Sequence, residues 1–305
     1  MDYFQAMGSS GSILGKRPIP THEEREAYCI EYMKKMGYNN IREMRDVTAD
    51  ELMRKAAECG YLHYYHTDNL FMPEQPLAIY ESGRQMHVSL LVGGNSLESA
   101  PRDIFPKAWR EKRLPTMQEA LDVAAAIYGE ENAKEMLDLY GIKKDTDILM
   151  QPGRALCNDY HIAYGTWRWA DVHRRTGNAP VYHYYYSHPL SEENNMESAT
   201  AIDSLWQQAN RGACHGADIG YAMGTLSTER YHKWQPGDWF VSEIFNGYYV
   251  NFIKTGNPNS LCLPEWTPSN NSKVPPVMNI DVNCKMIIDS LEEKRYSHMK
   301  RLHIP

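Results

Sequence analysis

Among twelve histidines, His215 is set apart by its surroundings: in RGACHGADIGYAMGTL, residues 211–226, small neighbours and a following glycine let a loop present the imidazole into a cleft. Imidazole is the side chain that exchanges protons near neutral pH. Glu98 is delivered differently. VSLLVGGNSLES, residues 88–99, reads as an apolar strand that leaves through a Gly-Gly-Asn turn and places the carboxylate just past its carboxyl end, where catalytic groups collect in open α/β sheets. A strand-end carboxylate followed by a loop histidine matches the last two members of the chain order Ser, Asp/Glu, His. Either residue alone also fits a packed or solvated side chain, so the pair in this order carries the argument.

The elements that must hold these loops are legible from local chemistry. Thr21 with Glu24, Thr48 with Glu51 and Thr116 with Glu119 form capping boxes that open three helices, closing near Gly37, Gly60 and Gly129. A fourth helix, residues 131–140, stops at Gly141. The apolar stretch of Tyr3, Phe4, Ala6 and Met7 reads as strand-like before a loop at Gly8–Gly11, and HVSLLV (87–92), PVYHYYYS (180–187) and KMIID (285–289) read as short strands. Helices alternating with well-separated strands predict an α/β protein with a mainly parallel sheet. No repeat or linker interrupts the chain, so residues 1–305 are expected to form one unit.

Composition narrows the function classes. With 42% hydrophobic and 23% charged residues the chain is globular in type. Lys and Arg total 32 against 39 Asp and Glu, a net charge of -7 that argues against a nucleic-acid partner. No apolar run approaches a membrane span. Asp2 and the early glycines and serines do not make a secretory leader, and the compartment is left open. Six scattered cysteines without a CxxC pair read better as free buried thiols than as disulfides. His63 and His66 stand at i, i+3 spacing, but no third ligand is legible and no metal site or cofactor is expected. The aromatic run Tyr182, Tyr184, Tyr185 and Tyr186 reads first as a ring-packed buried strand and second as a pocket lining; the Trp-rich stretches at 167–169 and 234–239 leave the same two readings open. Asn270-Asn271-Ser272 is one formal glycosylation sequon.

Four ordered blocks resemble the carboxylesterase type B, or cholinesterase-like, family of α/β-hydrolases. FQAMGSSGS (4–12) resembles the strand and Ser-Gly turn that follow the family's nucleophile helix, and LLVGGNSLES (90–99) resembles its strand-plus-acid motif. GACHGADIGYAMG (212–224) resembles the histidine motif, and YYVNFIKTGNPN (248–259) with LPEW (263–266) resembles the closing signature. The resemblance implies that Glu98 is the triad acid and His215 the general base of a serine esterase acting on a small-molecule carboxylic ester without metal or cofactor. Leu97, Ser99, Cys214 and Asp218 depart from the family's usual Asp, Gly, Phe and Glu. The shorter Asp218 is expected to lengthen a supporting hydrogen bond.

No GxSxG nucleophile elbow and no His-Gly-Gly oxyanion loop occur in the 305 residues; Ser9 and Ser10 lack the elbow spacing. The resemblance therefore implies a partial α/β-hydrolase fold: the later strands and helices of one domain, without the elbow-bearing half. The chain is expected to be inactive by itself, with an unpaired sheet edge that makes it unstable or sticky. The alternatives are a non-catalytic module that binds a partner protein, and one half of a split enzyme completed by a separate amino-terminal chain.

Overall fold

The computed structural model of the protein describes residues 5–14, 19–63, 65–190, 200–230, 232–270 and 272–302. Its centre is the apolar run after His87. Leu90, Leu91 and Val92 are all buried, as expected of a parallel strand covered on both faces, and they form β2 (Ser89–Asn95) between β1 (Gln5–Ser9) and β3 (Val181–Tyr186). β4 (Val277–Ile280) continues the parallel set beyond β3, and β5 (Lys285–Ile287) closes that edge antiparallel to β4. Among the described residues the sheet has five strands, and their spatial order equals chain order.

β2 does not end at its two glycines. It runs through them to Asn95, with Gly93 and Gly94 in register with Tyr184 and Tyr185. The sequence pattern reads as a turn because paired glycines usually mark one; here a missing side chain serves close approach instead. A Cβ on Gly94 would lie 2.8 Å from Glu98 Oε1.

Side-chain alternation along β3 separates the aromatic run. Tyr182, Tyr184 and Tyr186 enter one core with Phe245, Tyr248, Phe252 and Trp266, with the Tyr184 ring edge-on to Phe245 at 5.2 Å. Phe245, Tyr248 and Phe252 share the buried stripe of the helix Pro236–Thr255, which covers this face. His183 points to the opposite face, where burial pushes its imidazole down to about 4. Tyr185 is half-buried on that face and lines a small polar cleft with Arg154, Asp159 and Glu292. Trp167 is buried against Tyr164 and Tyr296, Trp234 is half-buried, and Trp239 is exposed.

The four anticipated helices form at His22–Lys35, Ala49–Glu58, Met117–Tyr128 and Glu130–Tyr140. Thr21 and Thr116 make both capping-box hydrogen bonds, whereas Thr48 accepts from Glu51 N only. The described residues divide into two compact units, one from within 1–16 and 85–305 and a smaller one from within 17–84. The smaller unit is helical. Its helices leave an apolar hollow of about 510 Å³ lined in part by Met33, Met36, Met44 and Met53.

All six cysteines are unpaired, but only Cys157 is fully buried and Cys262 is exposed. His63 and His66 lie in irregular chain, with Tyr64 between them outside the described residues, so helical spacing does not apply there. His66 Nδ1 lies 2.7 Å from Thr67 O. No group of three metal-ligating side chains is found among the described residues. Asn270 of the sequon ties the start of β3, accepting from Val181 N and donating to Ala179 O; Asn271 lies outside the described residues. Among the described residues no helix is long and apolar enough to cross a membrane.

Candidate active site

One backbone contact aligns the two distant loops. Beyond the end of β2, Leu97 makes an isolated parallel bridge with Cys214, its N–H donating to Ala213 O at 2.9 Å. Residues one step beyond a parallel bridge emerge side by side, and these are Glu98 and His215. Leu97 itself is buried in the core. The apolar side chain at this position therefore secures the bridge from below.

His215 Nδ1 lies 2.7 Å from Glu98 Oε2. An ionised carboxylate can only accept, so the imidazole carries its hydrogen on Nδ1 and leaves the Nε2 lone pair available for a proton. The Glu98 side chain is 0% exposed and that of His215 55% exposed. The carboxylate is thus removed from water while the ring it orients faces outward. Removing a carboxylate from water is costly unless charged-state hydrogen bonds offset it. Here Oε1 accepts from Asn95 N at 2.5 Å, in the space that Gly94 leaves open. The main chain is held as well, because Glu98 N donates to Asn158 Oδ1 at 2.6 Å.

The histidine loop is fixed from behind. Asn95 Nδ2 donates to Cys214 O at 2.7 Å and to Asp218 Oδ1 at 3.1 Å, and Tyr184 OH donates to Asp218 Oδ2 at 3.3 Å. Both contacts of Asp218 are long for hydrogen bonds to a carboxylate. Gly216, with φ +79°, takes the left-handed conformation that turns the chain directly into the helix Ala217–Ala222. Burial pushes the Cys214 thiol up, so this neighbour of His215 stays a protonated thiol rather than a nucleophilic thiolate.

The serines at the end of β1 are occupied differently. Ser9 Oγ pairs with Tyr249 OH at 2.7 Å. Ser10 has φ +51°, donates its N–H to Gly93 O, and buries an Oγ that has no hydrogen-bond partner among the described residues. Asn95 and Asn158, which sequence reasoning passed over, make hydrogen bonds to Glu98 at 2.5 and 2.6 Å, slightly shorter than that of His215. Asn95 reaches Glu98 through its main-chain N–H, which any residue but proline offers, so its identity gave no local signal, and nothing local marks Asn158 either.

Comparison with known proteins agrees with this architecture. The chain is 24% identical over 248 residues to carboxylesterase 4A of Bos taurus, covering 77% of this chain and 41% of that protein. It is 23% identical over 290 residues to bile salt-activated lipase of Rattus norvegicus, covering 85% and 42%, and 25% identical over 220 residues to the crystal protein of Dictyostelium discoideum, covering 66% and 35%. It thus spans about two fifths of the length of such relatives. A thermophilic PNB esterase superposes with a TM-score of 0.68 at 17% identity, over 98% of this chain and 57% of that one, so the fold is that of the α/β-hydrolases. The carboxylesterase family itself matches residues 4–299, and with that span the chain belongs to the carboxylesterase family.

Proposed function

We propose that the chain supplies the acid and the base of a serine carboxylic ester hydrolase. The observation that carries this reading is the buried Glu98 carboxylate at 2.7 Å from Nδ1 of the outward-facing His215. In the reaction, His215 Nε2 takes the proton of a serine hydroxyl as it attacks the ester carbonyl, then returns it to the departing alcohol. Glu98 keeps the ring in the productive tautomer and stabilises the imidazolium.

The serine is proposed to come from a segment outside these 305 residues, either of the same polypeptide or of a separate amino-terminal chain. Two observations support this. The sequence contains no GxSxG. Among the described residues β1 is paired on one side only, by β2, leaving a parallel edge where an elbow-bearing strand would add. By itself the chain would then turn over no ester.

The test is hydrolysis of a short-chain aryl acetate by the assembled esterase that contains this chain. His215→Ala is expected to remove at least about a thousandfold of kcat/KM, and an unchanged rate would overturn the assignment. The second reading, a partner-binding module without turnover, is favoured only by the lack of GxSxG. A serine elbow on the completing segment decides for the enzyme, and another residue at that position decides for the module.

A further inference from the structure

Below the acid and the base runs an irregular piece of helix. The helix Gln151–Asn158 passes through one π-helical turn, Asp159–Ala163, into the helix Tyr164–Thr176. Such a turn interrupts the regular ladder of hydrogen bonds and persists only where the surroundings hold it, often at functional sites. Here it is held from the inside. Asp159, buried at 2% exposure, accepts from Tyr140 OH at 3.0 Å, Arg295 Nε at 2.9 Å and Tyr296 OH at 2.6 Å.

Its outer side reaches both members of the acid–base pair. Asn158, immediately before the turn and 5% exposed, accepts the Glu98 N–H at 2.6 Å. His161, within the turn and exposed, sets its ring at 88° to that of His215 with centroids 6.2 Å apart. His215 has 55% of its side chain exposed, so few other groups restrict its ring. An edge-to-face partner at this distance opposes rotation of the imidazole.

We infer that the π-helical turn is a positioning element: Asn158 fixes the Glu98 loop, and the His161 ring holds His215 so that Nδ1–H stays on Glu98 while Nε2 faces the reacting serine. This rests on the acid–base reading above. The turn touches no reacting atom and acts only through Glu98 and His215. Its work depends on the presence of a flat ring at position 161, not on charge there.

The spectroscopic test uses the assembled esterase. A hydrogen held between imidazole and carboxylate gives a proton resonance far downfield of the amides, assigned by its loss in His215→Ala. His161→Ala is expected to broaden or shift it upfield, and His161→Phe to preserve it. In the assembled esterase, His161→Ala is expected to lower kcat about threefold to tenfold with KM little changed, with rescue by His161→Phe. A wild-type resonance together with wild-type kcat in His161→Ala overturns the positioning role and leaves the acid–base reading standing. A downfield resonance that survives His215→Ala in the assembled esterase overturns the pairing of Glu98 with His215, and the positioning with it. Asn158→Ala is the second probe and should weaken the same resonance; since it buries the Glu98 N–H unpaired, the His161 variants carry the test where that variant does not fold.

Discussion

Replacing Glu98 with glutamine exchanges one carboxylate oxygen for an NH2 group and tests the acid–base reading sharply. In the native site Oε1 accepts the Asn95 N–H at 2.5 Å and Oε2 faces His215 Nδ1 at 2.7 Å. A glutamine amide has one acceptor and one donor end. The donor cannot sit against the Asn95 N–H, so the amide oxygen must take the Oε1 place and the NH2 must face His215. Nδ1 then has to accept, which moves the ring hydrogen to Nε2, the atom needed to take the serine proton. The geometry survives while the tautomer is inverted. The expected loss is therefore that of an inverted triad histidine, about 10⁴-fold in kcat, equivalent to about 5 kcal/mol of transition-state stabilisation. Stability should move little, because the lost charge-assisted hydrogen bond is offset by no longer burying an ionised group. The assay is aryl acetate hydrolysis by the assembled esterase, with thermal melts of the same variant. A Glu98→Gln enzyme within about tenfold of wild type would refute the tautomer argument.

Three further outcomes follow from the same geometry. Gly94→Ala places a Cβ at 2.8 Å from Glu98 Oε1 and must displace the carboxylate; kcat/KM should fall about tenfold to a hundredfold in the assembled esterase, and wild-type activity would show that the carboxylate position is not critical. Glu292 is pushed from 4.5 up to about 8 by burial and by nearby Asp159. Its folded-state pKa is raised, so between pH 4.5 and 8 the unfolded chain loses a proton that the folded chain keeps, and stability falls as pH rises through this window. Glu292→Gln should thus raise stability by on the order of 4 kcal/mol at about pH 9 and by little at about pH 5; equal effects in melts at both values would refute the assignment. Finally, a thiol reagent should modify exposed Cys262 in the folded chain and reach buried Cys157, whose thiol burial pushes far up, only on unfolding. Mass mapping that finds both labelled together would contradict the packing.

Where structure is local, the sequence alone determined it. Thr21, Thr48 and Thr116 satisfy the first free N–H groups of their helices over three residues, so those starts need no tertiary partner. The continuous apolar run at 90–92 likewise requires burial on both faces, which implies a parallel sheet. The pair Glu98 and His215 could be named from loop chemistry and family resemblance. Their contact could not, since it depends on a single backbone bridge between Leu97 and Cys214 far apart in the chain. β4 escaped for a related reason: four residues after two prolines become a strand only because β3 and β5 offer partners on both sides. The Gly-Gly pair reads as a turn and is a strand segment, because the demand on Gly94 comes from a carboxylate four residues on that folds back over it. The π-helical turn was invisible altogether. It is anchored through Asp159, which Tyr140, Arg295 and Tyr296 hold from two other helices, and no pattern within residues 151–176 carries that information. Local hydrogen bonding and hydrophobic period set the elements; long-range backbone pairing and buried charge decided which side chains meet.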